Sequence, residues 1–337
     1  AEGRDERILP NVMHTARFIW FVTAVYVVLG TIALGGVMHW LGIDVLRAAL
    51  EGFWMTVAAF DTGGFAPHSQ NALFYHSGAV EIALMVLMLA GAMNFALHAD
   101  VWRGDFRELG TNIETRALAI NMAILTVFVT VGLVLGGALS ESSEVLRKGL
   151  FHVVSAHSGT GHQTLYGPQW SLSFGGVATM AVILAMGAGG AVSSTAGGLK
   201  ALRLAVIAKS LLLNVRKQLT PESAVVRDRF HHLKDRPMTD ALVSAAMTVA
   251  VLYAFTYISG GIIGAAYGFP IESAMFESVS AAANVGLSTG ITSPAMPGGL
   301  KILYILQMWA GRLEFIALLS LFAAIVISMA PWPRGSR

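Results

Sequence analysis

The chain has 337 residues, 55% of them hydrophobic and only 12% charged, with a mean hydropathy of +0.65. These figures exclude an ordinary soluble protein and indicate one that lives in a bilayer. A net charge of +2 gives no sign of a nucleic-acid surface, and the absence of cysteine removes disulfides, thiolate nucleophiles and thiolate metal sites.

In chain order, uncharged windows mark the elements, since one crossing takes about 20 helical residues. Residues 17–41 read as a span, 45–60 as a short apolar helix, 61–66 as a Gly-containing turn and 80–97 as a second span. The pattern recurs with a span at 117–139, a short helix at 144–157 and a turn at 158–163. The window 149–199 is too long for one crossing and has a polar, Gly-rich middle, so it reads as a re-entrant helix, a loop and a broken span over 172–206. A basic cytoplasmic connector, 207–238, follows. The third copy places a span at 241–266, a short helix at 272–283, a turn at 284–290 and a span at 301–329. Gly64 to Gly161 is 97 residues and Gly161 to Gly286 is 125. This internal repeat divides the chain into units 1–110, 111–238 and 239–337.

Orientation follows from the basic residues. With the turns outside, the inner segments hold 17 of the 22 lysines and arginines, which predicts a multi-pass protein with both termini in the cytoplasm. The connector from Lys200 to Arg236 alternatively binds anionic lipid or docks a partner.

A short helix that ends in a Gly-containing turn, repeated around an axis, aims its negative dipole end and its carbonyl oxygens at a common centre. That arrangement replaces the hydration shell of a cation. Carbonyls that all face inward need backbone torsions, often with positive φ, that glycine tolerates. The candidate ion-contacting residues are Thr62, Gly63 and Gly64; Gly159, Thr160 and Gly161; and Asn284, Val285 and Gly286.

Thr62-Gly63-Gly64-Phe65, Asn284-Val285-Gly286-Leu287-Ser288-Thr289-Gly290, Ser194-Thr195-Ala196-Gly197-Gly198-Leu199-Lys200 and Gly311-Arg312-Leu313-Glu314 together resemble the Trk/Ktr/HKT superfamily, specifically its TrkH-type potassium transporters. The resemblance runs over essentially the whole chain. It implies an all-α, K+-channel-like fold of span, pore helix and span units around a pseudo-fourfold pore. K+ is then the transported ion at the turn residues, with no organic cofactor. It further implies a homodimer, a cytoplasmic TrkA-like RCK nucleotide-binding partner, and a prokaryotic inner-membrane location.

The run from Gly187 to Gly198 is dense enough in small residues to break its span. The resemblance makes it an intramembrane gating loop, with Gly187, Gly189, Gly190, Ser193, Ser194, Thr195, Gly197, Gly198 and Lys200 as gating residues. The plainer reading is a small-residue packing face, which would not need Ser-Ser-Thr in succession. Arg312 falls near the bilayer midplane, where a charge is costly. By resemblance it faces the permeation path and joins the gating set. Glu314, two residues on, does not share its helix face.

Two departures from the superfamily stand out. Extrapolating the repeat spacing backwards puts a first filter glycine before residue 1, so one unit of four is absent. The polar start without Met favours a C-terminal part of a longer polypeptide over a quarter supplied by another chain or a non-conducting remnant. Asp61 beside the first turn, and His157 and His162 beside the second, would concentrate cations or confer pH dependence at the outer mouth, or else cap helices and bind neighbouring loops. An enzyme is not expected. His152, His157 and His162 are five apart and fan around a helix, and no nucleophile motif surrounds Ser193 and Ser194. The rival readings are a Na+-coupled or Na+-permeable transporter and a non-conducting regulatory subunit. Retention of Gly64, Gly161 and Gly286 leans towards K+.

Overall fold

The computed structural model describes residues 12–137, 142–172, 174–221, 229–313 and 315–329. The elements run α1 (Val12–Trp40), α2 (Val45–Phe60), a 3-10 turn (Asn71–Tyr75), α3 (Gly78–Ala92), α4 (Phe95–Trp102), α5 (Arg107–Thr111), α6 (Ile113–Gly136) and α7 (Ser142–His157). There follow α8 (Gln169–Leu172), α9 (Gly175–Ala188), α10 (Ala201–Gln218), strands β1 (Arg229–His232) and β2 (Lys234–Pro237), α11 (Asp240–Ala266), α12 (Ile271–Ala282), α13 (Gly298–Leu313) and α14 (Phe315–Met329).

Among the described residues, α1, α6 and α11 are the unbroken helices long and apolar enough to cross a membrane. Each begins or packs for a local reason. The Asn112 side chain accepts from Glu114 N to start α6, and the Thr239 hydroxyl accepts from Leu242 N to start α11. Their outward faces keep large apolar side chains exposed, including Val28, Leu29 and Ile32 on α1, Val127, Phe128 and Val131 on α6, and Val251, Phe255 and Ile258 on α11. Recurrence at helical spacing makes these stripes, which is what lipid covers.

The short helices α2, α7 and α12 turn their last residues inward, and the core surrounds them. Phe60, Phe151, Ala156 and Phe276 are at most 2% exposed. Each short helix packs against the long helix before it, α2 on α1, α7 on α6 and α12 on α11. Close approach is visible where a Cβ on Gly52 would fall 2.7 Å from Gly35 N.

The inner spans depart from the sequence expectation. Residues 80–97 are not one helix, because α3 and α4 meet at 105°. The hydrogen bonds that would carry the helix across this point are all redirected. Phe95 N donates to Ser193 O instead of Gly91 O, and Ala96 N donates to Asn94 Oδ1. Gly91 O accepts from Thr195 N, and Ala92 O accepts from Ala191 N. The 187–198 loop thus supplies partners for Phe95 N, Gly91 O and Ala92 O at the bend. The 172–206 span is broken as its small-residue run requires, into α9 and α10. The 301–329 span divides between α13 and α14, with Glu314 outside the described residues. The described parts of the connector 207–238 are more ordered than a loop. Helix α10 continues to Gln218, and β1 and β2 form an antiparallel hairpin that pairs Arg229 with Pro237 and His232 with Lys234. The chain is therefore helical except for this one small sheet among the described residues.

Candidate functional site

The three turns that follow α2, α7 and α12 share one hydrogen-bond ladder. After α2, Gly63 N and Gly64 N donate to Ala58 O at 2.8 and 3.1 Å. Ninety-seven residues on, Thr160 N and Gly161 N donate to Ser155 O at 3.0 and 3.4 Å; after a further 125, Val285 N donates to Ser280 O at 2.9 Å. Gly286 N goes to the Ser280 hydroxyl at 3.1 Å instead.

Backbone handedness recurs in the same register. Left-handed φ falls on Thr62 and Gly64, on Gly159 and Gly161, and on Asn284 and Gly286, so each turn has it at the marker glycine and two residues before. The expectation that such torsions call for glycine is therefore met at both positions in the second turn but at only one of the two in the first and third. Asn284 belongs to a residue type that tolerates this region, whereas β-branched Thr62 is strained there. Thr62 is held by an outside contact, its hydroxyl donating to Thr195 Oγ1 at 3.1 Å.

The turns meet edge to edge. A Cβ on Gly64 would fall 2.0 Å from Thr160 O, and one on Gly161 would fall 2.0 Å from Val285 O. Each glycine therefore seats the neighbouring turn's carbonyl. A Cβ on Gly286 meets nothing within 4 Å among the described residues. At the opposite edge, Asp61, Gly63 and Phe65 are exposed along a groove of about 310 Å³ that also takes in Phe53 and Trp54.

Behind the turns lies a set of struts that sequence reasoning missed. The Ser155 and Ser280 hydroxyls donate to His162 O and Leu287 O, both at 2.6 Å. Glu277, 3% exposed, accepts from Ser288 Oγ, Thr289 N and Thr292 Oγ1 at 2.7, 2.8 and 2.5 Å. His152 occupies the equivalent place in the second unit, accepting from Thr164 N at 3.3 Å while its Nδ1 donates to Lys148 O. In the first unit the equivalent residues are Met55 and Pro67. A proline has no N–H to satisfy, and Met55 offers no such acceptor. The spacing of 97 and 125 is the signal by which these three positions are found.

His157 and His162 do not face an open mouth. Both are fully buried; His162 Nδ1 bonds Asn71 Oδ1 at 2.7 Å, and Asn71 Nδ2 in turn donates to Gly64 O at 3.0 Å. Asn71 thereby ties the first two turns together. Of the three outer-mouth candidates, only Asp61 is exposed.

Beneath the turns, the loop of Gly187, Gly189, Gly190, Ser193, Ser194, Thr195, Gly197 and Gly198 touches all three units. Thr195 Oγ1 lies 3.2 Å from Phe60 O and 2.9 Å from Gly91 O. A Cβ on Gly159 would lie 3.2 Å from Gly197 N, and one on Gly197 would fall 2.1 Å from Ala283 O. The neck is closed by Ala201 N to Gly190 O at 2.9 Å and Leu199 N to Gly187 O at 3.3 Å. Three cations border the loop. Arg312 Nη1 donates to Thr195 O at 2.8 Å, Lys200 Nζ donates to Ala196 O, and Arg203 Nη1 donates to Leu199 O at 3.4 Å. All three line a cavity of about 350 Å³ with Ser193 and Ser194. Arg203 is the member of this group that the sequence reading passed over. The described residues hold no cluster of His, Asp and Glu able to bind a metal ion.

Fold and site together define a helical membrane protein whose re-entrant helices bring three carbonyl-bearing turns to one place, with a broken span beneath them. Residues 1–332 match the TrkH family of cation transport proteins, and the chain belongs to that family. It is 29% identical over 328 residues to an uncharacterized cation transporter of Methanocaldococcus jannaschii, covering 96% of this chain and 63% of that protein. It is 25% identical over 325 residues to the Trk system potassium uptake protein TrkH of Escherichia coli, covering 95% and 64%. The fold matches the crystal structure of the potassium transporter TrkH from Vibrio parahaemolyticus with a TM-score of 0.78, at 20% identity, over 93% of this chain and 65% of the other. The chain thus spans a little under two thirds of the length of these relatives.

Proposed function

We propose that the protein conducts K+ through a pore whose selective narrowing is built from Thr62, Gly63 and Gly64, Gly159, Thr160 and Gly161, and Asn284, Val285 and Gly286. The observation that carries this reading is the shared ladder with left-handed residues at alternate positions. Alternating handedness aims successive carbonyl oxygens the same way, and carbonyls from several turns around one axis substitute for a cation's water. The names of the potassium uptake relatives support the choice of ion.

The units 1–110, 111–238 and 239–337 are three of four around a pseudo-fourfold axis. A fourth turn, seated between Gly286 and the exposed edge of Asp61 and Gly63, closes the ring. The 187–198 loop is the gate. It blocks the path directly under the turns, and Arg312 latches it through Thr195 O while opposing cations electrostatically. The turns face outward and both termini lie in the cytoplasm of a prokaryotic inner membrane. A homodimer, with a TrkA-type RCK ring on its cytoplasmic face, is the assembly that fits the Trk system names of the relatives.

Uptake of radioactive rubidium into vesicles holding the full-length protein, with K+, Na+ and Cs+ as competitors, tests the reading. K+ competing far better than Na+ is the expected result. Equal competition by Na+ refutes K+ selectivity, and no flux under any condition leaves a non-conducting subunit. Rescue of a K+-uptake-deficient bacterium at low external K+ is the cellular counterpart.

A further inference from the structure

One buried carboxylate touches both the loop under the turns and the cytoplasmic hairpin. Glu114 lies in the first turn of α6 and is 2% exposed. Its Oε1 accepts from Val192 N, inside the loop, at 2.5 Å. Its Oε2 accepts from His232 Nε2, on β1, at 3.1 Å, and His232 is fully buried. The two oxygens of one rigid group therefore bridge residues 40 apart in sequence that belong to different elements. The backbone from which this side chain extends is anchored as well, its N–H donating to Asn112 Oδ1 at 3.0 Å.

The hairpin is gripped a second time next door. Glu108 Oε2 meets His231 Nε2 at 2.9 Å, and Glu108 Oε1 accepts from Leu233 N and from Asn112 Nδ2. Two successive histidines of one strand are thus held by two carboxylates of the α5–α6 corner. Glu108 bonds the hairpin and Asn112, and Glu114 is the member of the pair that reaches the loop.

We propose that Glu114 is the positioning residue through which the β1–β2 hairpin sets the 187–198 loop, so that a force applied to the hairpin from the cytoplasm is delivered at Val192. This rests on the reading of that loop as the gate. The chemistry is one of competing partners for a buried charge. When His232 is pulled away, the carboxylate loses a donor it cannot replace with water, and its hold on Val192 N changes with it. Val192 opens the segment whose next residue, Ser193, has left-handed φ and accepts from Phe95 N, at the bend between α3 and α4. Displacement at Val192 is therefore handed to the bend as well as to the loop.

The chain contains no cysteine, so Ser193→Cys places a single thiol on the exposed part of the loop. The experiment measures the modification rate of that thiol by a membrane-impermeant methanethiosulfonate in proteoliposomes of the intact protein, together with rubidium flux. The backgrounds are unsubstituted, Glu114→Gln, His232→Leu, His232→Gln and the double substitution Glu114→Gln with His232→Leu. The expected result is a rate change of roughly tenfold or more, in one direction, for Glu114→Gln and for His232→Leu, the scale of one lost charge-assisted hydrogen bond. The double substitution then changes the rate no more than either alone. His232→Gln, whose amide donates from nearly the place of Nε2, stays near the parent. A silent His232→Leu, additive effects in the double substitution, or a His232→Gln that behaves like His232→Leu overturns the proposal. If Glu114→Gln fails to fold, the contrast between His232→Leu and His232→Gln decides by itself. Rates that shift in the expected pattern while flux stays constant leave the coupling standing and remove the loop as gate.

Discussion

The substitution Gly161→Ala puts the seating of one turn against the next under direct strain. The new Cβ would lie 2.0 Å from Val285 O, where real contacts are essentially never under 3.0 Å, so that oxygen must retreat by about 1 Å. Holding a left-handed φ of +85° with a side chain present costs about 1–2 kcal/mol, and forcing a group into filled space costs about 1–3 kcal/mol more. The total, about 2–5 kcal/mol, falls on one carbonyl of the proposed ion path. Gly137→Ala is the matched control. It also has positive φ, +63°, but its Cβ meets nothing within 4 Å, so it incurs the torsional part alone. The assay is rubidium flux with K+ and Na+ competition, alongside thermal unfolding in detergent. Gly161→Ala should lower Tm below that of Gly137→Ala and erode preference for K+ over Na+, while Gly137→Ala keeps that preference. A Gly161→Ala protein with parental Tm and selectivity would refute the reasoning. Gly286→Ala then reports on the open edge: it behaves like Gly161→Ala if a fourth turn abuts it, and like Gly137→Ala if none does.

Other substitutions probe the loop and the struts. Arg312→Ala frees Thr195 O and removes a positive charge beneath the turns, so it should raise rubidium flux or alter its gating; unchanged flux at equal expression would deny Arg312 that role. Thr195→Val keeps the shape but removes the donor to Gly91 O and the acceptor for Thr62. The loss is about 1–3 kcal/mol of loop anchoring, read as increased basal flux, and a parental flux would contradict it. Glu277→Gln turns an amide towards hydroxyl and N–H donors and should lower Tm through loss of about 1–3 kcal/mol or more, with the third turn the first to show faster hydrogen exchange. Hydrogen bonds to Glu108 and Asp235 raise the His231 pKa. A raised pKa means the clamp on the hairpin is fully present below the ordinary imidazole value of about 6.5 and is lost as pH rises through the raised value. Exchange of residues 229–237 should therefore quicken as pH rises from about 6.5 through that raised value, once the intrinsic pH dependence is removed.

Much of the frame was legible because bilayers impose length and charge rules that act on sequence directly. Spacings of 97 and 125 located the three turns, and the Gly187–Gly198 run located the break between α9 and α10. What could not be read were partners distant in sequence. Nothing between Val80 and Leu97 announces a bend, since its cause is the hydrogen bonding of Ser193, Thr195 and Ala191 a hundred residues later. Thr62 looks unsuited to left-handed φ until Thr195 is beside it. For His162 the sequence left open a pH-sensitive mouth or a bond to a neighbouring loop, and the cross-tie to Asn71 is the second; His152, read only as one of three histidines fanning around a helix, is a strut, because burial and not spacing decides what a ring nitrogen meets. The β1–β2 hairpin was hidden by its basic composition, which reads as a plain connector.

The struts behind the turns constrain how such a protein can change over generations. Position 67 has no N–H and position 55 no matching acceptor, whereas Thr164 is matched by His152 and Thr289 by Glu277. Position 67 is exposed, so an N–H gained by replacing Pro67 alone can be met by water, whereas installing His or Glu in place of the buried Met55 alone would bury an acceptor with no donor opposite it. The step at Met55 is the penalised one, so the first unit gains the bonded pair most readily if the N–H at position 67 comes first. The three turns are in this respect free to drift apart but hindered from drifting back.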